Sequence, residues 1–402
     1  MKALPVNINT MNKPTISLLL CLLMLSIKMF GTTFYSQGSC APEVIASWNE
    51  SRAGGGNTPL NFTSGDVFVV QGGHSMTTGA NWSISGTGSV LWIENGGILT
   101  ATFPVALAKA TTFKIDDGGT FIHNNTGAPS STIFNGTESF SANSTFWIKN
   151  WIGNLYVIPS GITWGNLIID VPALSGSWNQ VGNVATVKGI LDIRQTGGSE
   201  NEFRLCSRSN SSCTLNLANI HVSGGILSIQ GGGTTGAPDI HTIVIGDILV
   251  TGGKFDLGTN GYSNISLSGN LTISDQGIVM NSGAASKIIF SKTGTQSVNL
   301  TTDAMSSTLI NVDIIAGCTV EMNSCWVMSS LSTMNVYGTL NTNNYTLKPR
   351  ALNVGGVLNL GNGVLDQIGT AAIIIGGPSL GYSGTINCQG IINMAPSHLL
   401  HS

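Results

Sequence analysis

Glycine pairs, or single glycines, each followed by two mostly apolar residues, recur along this chain. Gly96 and Gly97 precede Ile98 and Leu99, and Gly118 and Gly119 precede Thr120 and Phe121 twenty-two positions later. The signature returns at Gly189-Ile190-Leu191, Gly225-Ile226-Leu227, Gly253-Lys254-Phe255, Gly277-Ile278-Val279, Gly338-Thr339-Leu340 and Gly356-Val357-Leu358. A unit of about 20 to 28 residues, built from short apolar strands and glycine turns, hides its apolar face only by stacking on the next unit. Alternating runs at 67–71, 90–94 and 112–116 predict strands of about five residues with one side-chain set inward. Later runs rich in isoleucine, valine and leucine fit parallel strands buried against neighbouring coils. The expected fold is therefore all-β, a single-domain right-handed parallel β-helix (β-solenoid) of about fifteen coils.

Composition agrees with a packed but weakly charged chain. Only 9% of the 402 residues are charged, 42% are hydrophobic and 52 are glycine, with a net charge of -3. That is not a disordered composition, and so few cations form no stripe to follow a phosphate backbone, so nucleic acid is not an expected partner. Lys2 and Lys13 precede an apolar run at 16–27, too short to span a bilayer but fitting a secretory signal. Met11 is an alternative start, and cleavage is expected between Gly31 and Gly38. A lipid anchor at Cys21 is the lesser alternative, because Leu20 before it is not small. No later segment is long enough to cross a membrane. The predicted organisation is a signal peptide at 1–36, an N-terminal cap or linker at 37–60, the parallel β-helix at 61–396 and a tail at 397–402.

Export places the cysteines in an oxidising compartment, where two pairs of equal spacing, Cys206 with Cys213 and Cys318 with Cys325, are expected to close as local disulfides. Cys40 and Cys388 lie near opposite ends, too far apart on a rod to bridge.

Asp192, Arg194, Glu200, Glu202, Arg204 and Arg208 concentrate charge in one stretch, within the gap between the glycine signatures at Gly189 and Gly225. This stretch reads as a loop leaving the coil. Such a loop is a solvated surface element with weak ion pairs; in the rival reading its carboxylates act as acid and base on a glycosidic bond, or hold calcium in a polysaccharide lyase. Glu94 and Asp116 precede their glycine pairs by the same offset, with Asp117 beside Asp116. They read as turn formers, and as the alternative oxygen ligands, calcium being the cation they would take. No other cofactor is indicated. His74, His123, His221 and His241 have no metal-ligand spacing. Among the aromatics between Phe140 and Trp178, strand alternation turns Trp147 and Tyr156 to solvent, where they would stack on sugar rings; packing in the core is the plainer alternative. Repeated asparagines, as at Asn341, Asn343 and Asn344, suit hydrogen-bonded ladders between coils.

The segment Gly65-Asp66-Val67-Phe68-Val69-Val70-Gln71-Gly72-Gly73-His74, followed by Ile93-Glu94-Asn95-Gly96-Gly97-Ile98-Leu99 and Ile115-Asp116-Asp117-Gly118-Gly119-Thr120-Phe121, resembles the opening of secreted bacterial right-handed parallel β-helix surface proteins, commonly cargo of the type IX pathway. The likeness covers about 61–125, and a weaker one is to the extracellular domain named for its eight glycines. The family implies a parallel β-helix at the cell surface or outside the cell and transfers no catalytic residues. It usually ends in a separate β-sandwich sorting domain, and nothing after Gly363 looks like one.

The expected function is that of a secreted or cell-surface structural or adhesive protein with no evident catalytic site, meeting extracellular polysaccharide or surface components. A carbohydrate-active β-helix enzyme is the alternative. Ile386, Ile391 and Ile392 keep a strand pattern close to the end of the chain, and an open coil edge there would support self-association.

Overall fold

A computed structural model of the chain describes residues 31–394 apart from 128–132, 207–212, 231–239, 259–261, 282–285, 302–303, 306–308, 369–370 and 377–382. The apolar run at 16–27, Arg208 and the tail at 397–402 lie outside the described residues. Apart from the single 3-10 turn Ile45–Ser47, the elements among them are strands. They stack in parallel on their counterparts one coil later, forming a β-solenoid of about 12 turns. Coils run from 18 residues, where Asn353 meets Asn335, to 30, where Ile226 meets Thr196. The first takes 34, measured from Thr32 to Asp66. These long coils account for the turns being fewer than a constant short period predicts.

Each coil contributes strands to three faces. Thr33–Ser36, Val67–Val70, Val90–Ile93 and Thr112–Ile115 are the lower ranks of the first face. Ser75–Thr77, Ile98–Ala101, Thr120–Asn124, Thr145–Lys149 and Asn166–Asp170 open the second. Trp82–Ile84 with Val105–Leu107, and higher up Trp178–Asn179, Phe203–Cys206, Ile226–Gln230 and Lys254–Asp256, belong to the third. In mid-molecule the long strands Thr186–Gln195, Thr214–Val222 and Ile240–Val250 bend from the first face onto the second without a break.

Strand alternation then produces columns that run through the coils. On the second face Met76, Leu99, Phe121, Phe146, Leu167, Leu191, Ile220 and Ile248 lie directly over one another, and all are buried. Phe146 also packs against Phe134, Phe140 and Trp164, with ring centroids 5.2–6.0 Å apart. Burying such a side chain contributes about 1.5–3 kcal/mol, and the residues directly above and below it in the column belong to other coils, so no coil is stable alone. The recurring glycines follow from the corners between faces. Gly96 and Gly118 hold φ of 75° and 76°, where a side chain is strained. The second glycine has a different constraint: a Cβ on Gly97 would stand 2.7 Å from the Val70 carbonyl, and one on Gly119 2.8 Å from that of Ile93.

At the lower edge, Thr33–Ser36 pairs in parallel with Val67–Val70, and Phe34 is buried beneath Phe68. The solenoid thus begins inside the stretch read from sequence as leader. Within 37–60 the chain returns antiparallel as Trp48–Asn49, covering the free edge of that first rank. Trp48 is fully buried against Phe68 and Trp82.

Outward amides are joined from coil to coil. On the second face Asn387 Nδ2 donates to Asn359 Oδ1, Asn359 to Asn341 and Asn341 to Glu321 Oε1, each at 2.6 Å. On the first face Asn353 donates to Asn335 at 2.7 Å and Asn335 to Asp313 at 2.6 Å. Both ladders start at a carboxylate, whose second oxygen takes Asn343 Nδ2 in one case and Lys287 Nζ in the other.

Candidate functional site

Trp147, Ile168, Asp192 and His221 are successive rungs of one outward column on the second face. Trp147 faces outward because its neighbours Phe146 and Ile148 point into the core. Two rungs above, Asp192 is largely covered, and its Oδ2 accepts a hydrogen bond of 2.8 Å from Arg194 Nε. Ile193 pairs with Ile169 while Gln195 pairs with Asp170, so Arg194 is the extra residue of a bulge. A bulge re-aims its side chain, and the Arg194 guanidinium comes 4.9 Å from the Trp147 ring centroid, a distance that Lys149 Nζ matches. Beside Asp192 and Arg194 lies a recess of about 190 Å³, bordered also by Asn166, Ile168 and His221. The recess offers a guanidinium and a carboxylate, and the Trp147 ring lies next to it under that guanidinium.

His221 adds a second feature. Its Nδ1 stands 3.1 Å from Asp192 Oδ1, a contact without the alignment of a hydrogen bond, and its Nε2 is 3.3 Å from Thr251 Oγ1. Carboxylate, imidazole and hydroxyl thus come from three consecutive coils. Sequence reading set His221 aside for lack of ligand spacing and gave Thr251 no role. The available signal was that each of these residues is roughly one coil from the next, and the unequal coils hide it.

The other residues singled out from sequence are placed apart. The charged stretch is not a loop leaving the coil: Asp192 and Arg194 lie on a second-face strand, whereas Glu202 and Arg204 flank Phe203 on the third face and pair with each other at 2.9 Å. Glu200 sits exposed in the turn between them. Two carboxyls across one glycosidic bond, as a glycosidase requires, are not assembled from this set. Glu94 and Asp116 do stack, yet each is engaged separately. Glu94 Oε2 takes Arg52 Nη1 at 2.8 Å, Asp116 takes Trp92 Nε1 at 2.7 Å and Lys114 Nζ at 3.0 Å, and Asp117 accepts the Asn143 amide at 2.9 Å. Among the described residues no three His, Cys, Asp or Glu side chains converge as cation ligands.

Tyr156 differs from its expected place. Residues 151–159 form no strand, so alternation does not govern them; Leu155 is 91% exposed, while Tyr156 packs against the core and against the edge of Trp151. Its hydroxyl is buried without a partner, and burial together with the nearby Glu138 carboxylate pushes its pKa up to about 12. Glu138 occupies the inward position above Phe113, and burial raises its pKa. Of the two expected disulfides, Cys206–Cys213 is formed, with Cα atoms 6.2 Å apart. Cys318 and Cys325 are free: Cys318 points inward, its Sγ 3.2 Å from Gln296 Oε1, and Cys325 is exposed. Compared with family models, curated proteins and solved structures, the chain matches none.

Proposed function

We propose that this chain is a secreted or cell-surface adhesive scaffold that holds extracellular polysaccharide on its second face. The observation that carries this reading is the Trp147 ring with the Arg194 guanidinium over it, beside the recess that Arg194 and its partner Asp192 border two ranks higher. A sugar presents an apolar ring face and a rim of hydroxyls. Trp147 suits the first, while Asp192, Arg194 and Asn166 offer acceptors and donors for the second. The column lies on a hydrogen-bonded sheet whose ranks repeat at about 4.8 Å, so little ordering is needed on binding. An oxidising compartment is supported by the Cys206–Cys213 bond and by the apolar run at 16–27; export by the type IX route belongs to this proposal.

Immobilised neutral and acidic polysaccharides, titrated with protein lacking 1–30, provide the test. Trp147→Ala is expected to weaken retention about tenfold, the equivalent of about 1.4 kcal/mol. Absence of binding to every polysaccharide, or equal binding by the variant, removes the reading.

A further inference from the structure

We propose that Asp192, His221 and Thr251 form a carboxylate–imidazole–hydroxyl relay that hydrolyses short-chain O-acyl esters, such as acetyl groups on sugar hydroxyls. The inference is separate from polysaccharide retention by Trp147. It rests on the order of the three groups: Asp192 Oδ1 lies 3.1 Å from His221 Nδ1, and His221 Nε2 lies 3.3 Å from Thr251 Oγ1. Arg194 holds the other Asp192 oxygen, so Oδ1 is left to face the imidazole. With the ring proton on Nδ1, Nε2 is the acceptor and the threonine hydroxyl the donor, the arrangement that activates a hydroxyl nucleophile.

The chain after Thr251 supplies what an oxyanion needs. Thr251 N–H donates to the Val222 carbonyl and Lys254 N–H to that of Gly225, each at 2.9 Å, while the amides of Gly252 and Gly253 between them make no hydrogen bond. Both glycines line a groove of about 270 Å³, together with Gly225, Ser199, Lys254 and Gln276. Free backbone N–H groups directly after a nucleophile are the kind of donor that stabilises a tetrahedral oxyanion. The lining includes the residue after Thr251, so an acyl group carried on that hydroxyl would extend toward this groove.

In the first half-reaction Thr251 Oγ adds to the acyl carbonyl carbon while its proton passes to His221 Nε2. The tetrahedral adduct collapses, the carbon–oxygen bond to the alcohol breaks, and His221 returns the proton to the leaving oxygen. Water then adds to the acyl-threonine as His221 takes its proton; collapse releases the carboxylic acid and restores the Thr251 hydroxyl. One ester and one water give one acid and one alcohol.

The probe is 4-nitrophenyl acetate with the exported chain, read by nitrophenolate release and by mass spectrometry of peptides after a brief acid quench. Turnover is expected to fall at least a hundredfold in Thr251→Val and in His221→Gln, with an acetyl group trapped on the peptide carrying Thr251 in the unaltered chain. Thermal melts establish that each variant is folded, and the trapped acyl group decides the matter in the unaltered protein should a variant misfold. Hydrolysis no faster than that of free imidazole, an acetyl group on another residue, or turnover retained in a folded Thr251→Val variant would overturn the proposal.

Discussion

His123 and Glu138 both occupy inward positions, and burial gives them opposite responses to pH. His123 lies in a column between Ala101 and Ile148, and burial lowers its pKa despite the hydrogen bond of Nε2 to the Gly127 carbonyl. The folded chain therefore binds this proton less well than the unfolded chain. The neutral ring's contribution is complete above about pH 6.5, the ordinary imidazole value, and declines as the solution is acidified below it. Glu138 behaves inversely: its raised pKa means that its stabilisation, present in acid, is lost as pH rises through the folded value. Urea denaturation should show Glu138→Gln more stable than the parent at pH 8 and the difference vanishing near pH 4. In His123→Gln, the loss of stability between pH 7 and pH 5 should be shallower than in the parent. Cys318 is a further residue-level case. Burial pushes its thiol up to about 11, so it is protonated at neutral pH and shielded from reagents. A thiol-reactive dye on the native protein should label the exposed Cys40, Cys325 and Cys388 within minutes and Cys318 only after denaturation; a protected Cys325 would restore the disulfide expected from spacing.

Within a coil, the strands and corners were legible wherever a local rule governs them. The glycine pairs mark corners because Gly96 and Gly118 need positive φ and Gly97 and Gly119 have no room for a Cβ. The alternation of Phe146, Trp147 and Ile148 gave the right faces because 145–149 is a true strand. The same rule failed at Tyr156, where the backbone leaves the sheet; the Cys318–Cys325 pairing, read from spacing, failed because seven-residue spacing contains nothing about which way a side chain points. The Asp192–His221–Thr251 grouping was illegible for a different reason. It depends on the register between coils, and that register varies from 18 to 34 residues. Asparagine ladders are the element-level interaction best suited to measurement. Asn341 accepts from Asn359 and donates to Glu321, so Asn341→Ala removes two hydrogen bonds of about 0.5–1.5 kcal/mol each. An increase in amide exchange confined to the coils around 321–359 is expected, with a loss of about 1–2 kcal/mol. Unchanged exchange there would mean that solvent replaces the ladder at no cost.

At the scale of the whole molecule, the solenoid form was readable from repeats and composition, because a chain with so little charge and so many short apolar strands must cover each coil with another. The number of turns was not, since the first coil alone takes 34 residues and accommodates the returning Trp48–Asn49. On the final described strand, Ile391–Asn393, Ile391 is 57% and Ile392 43% exposed. Apolar side chains on a sheet edge favour pairing with a second copy. Sedimentation velocity should show the apparent mass rising with concentration and Ile391→Lys suppressing the rise, whereas a single monomer boundary at every concentration would refute end-to-end pairing.

The ladders have a direction: in Asn387, Asn359 and Asn341 every amide nitrogen points down toward the carboxylate of Glu321, and the oxygens of Asn359 and Asn341 each take the nitrogen from above. A duplicated eighteen-residue segment spliced between Asn341 and Asn359 would find a fitting acceptor below and a fitting donor above. Gene duplication could therefore extend or trim this protein by whole storeys while leaving both junctions chemically unaltered, whereas an asparagine-to-leucine change at one storey would interrupt the inherited polarity there.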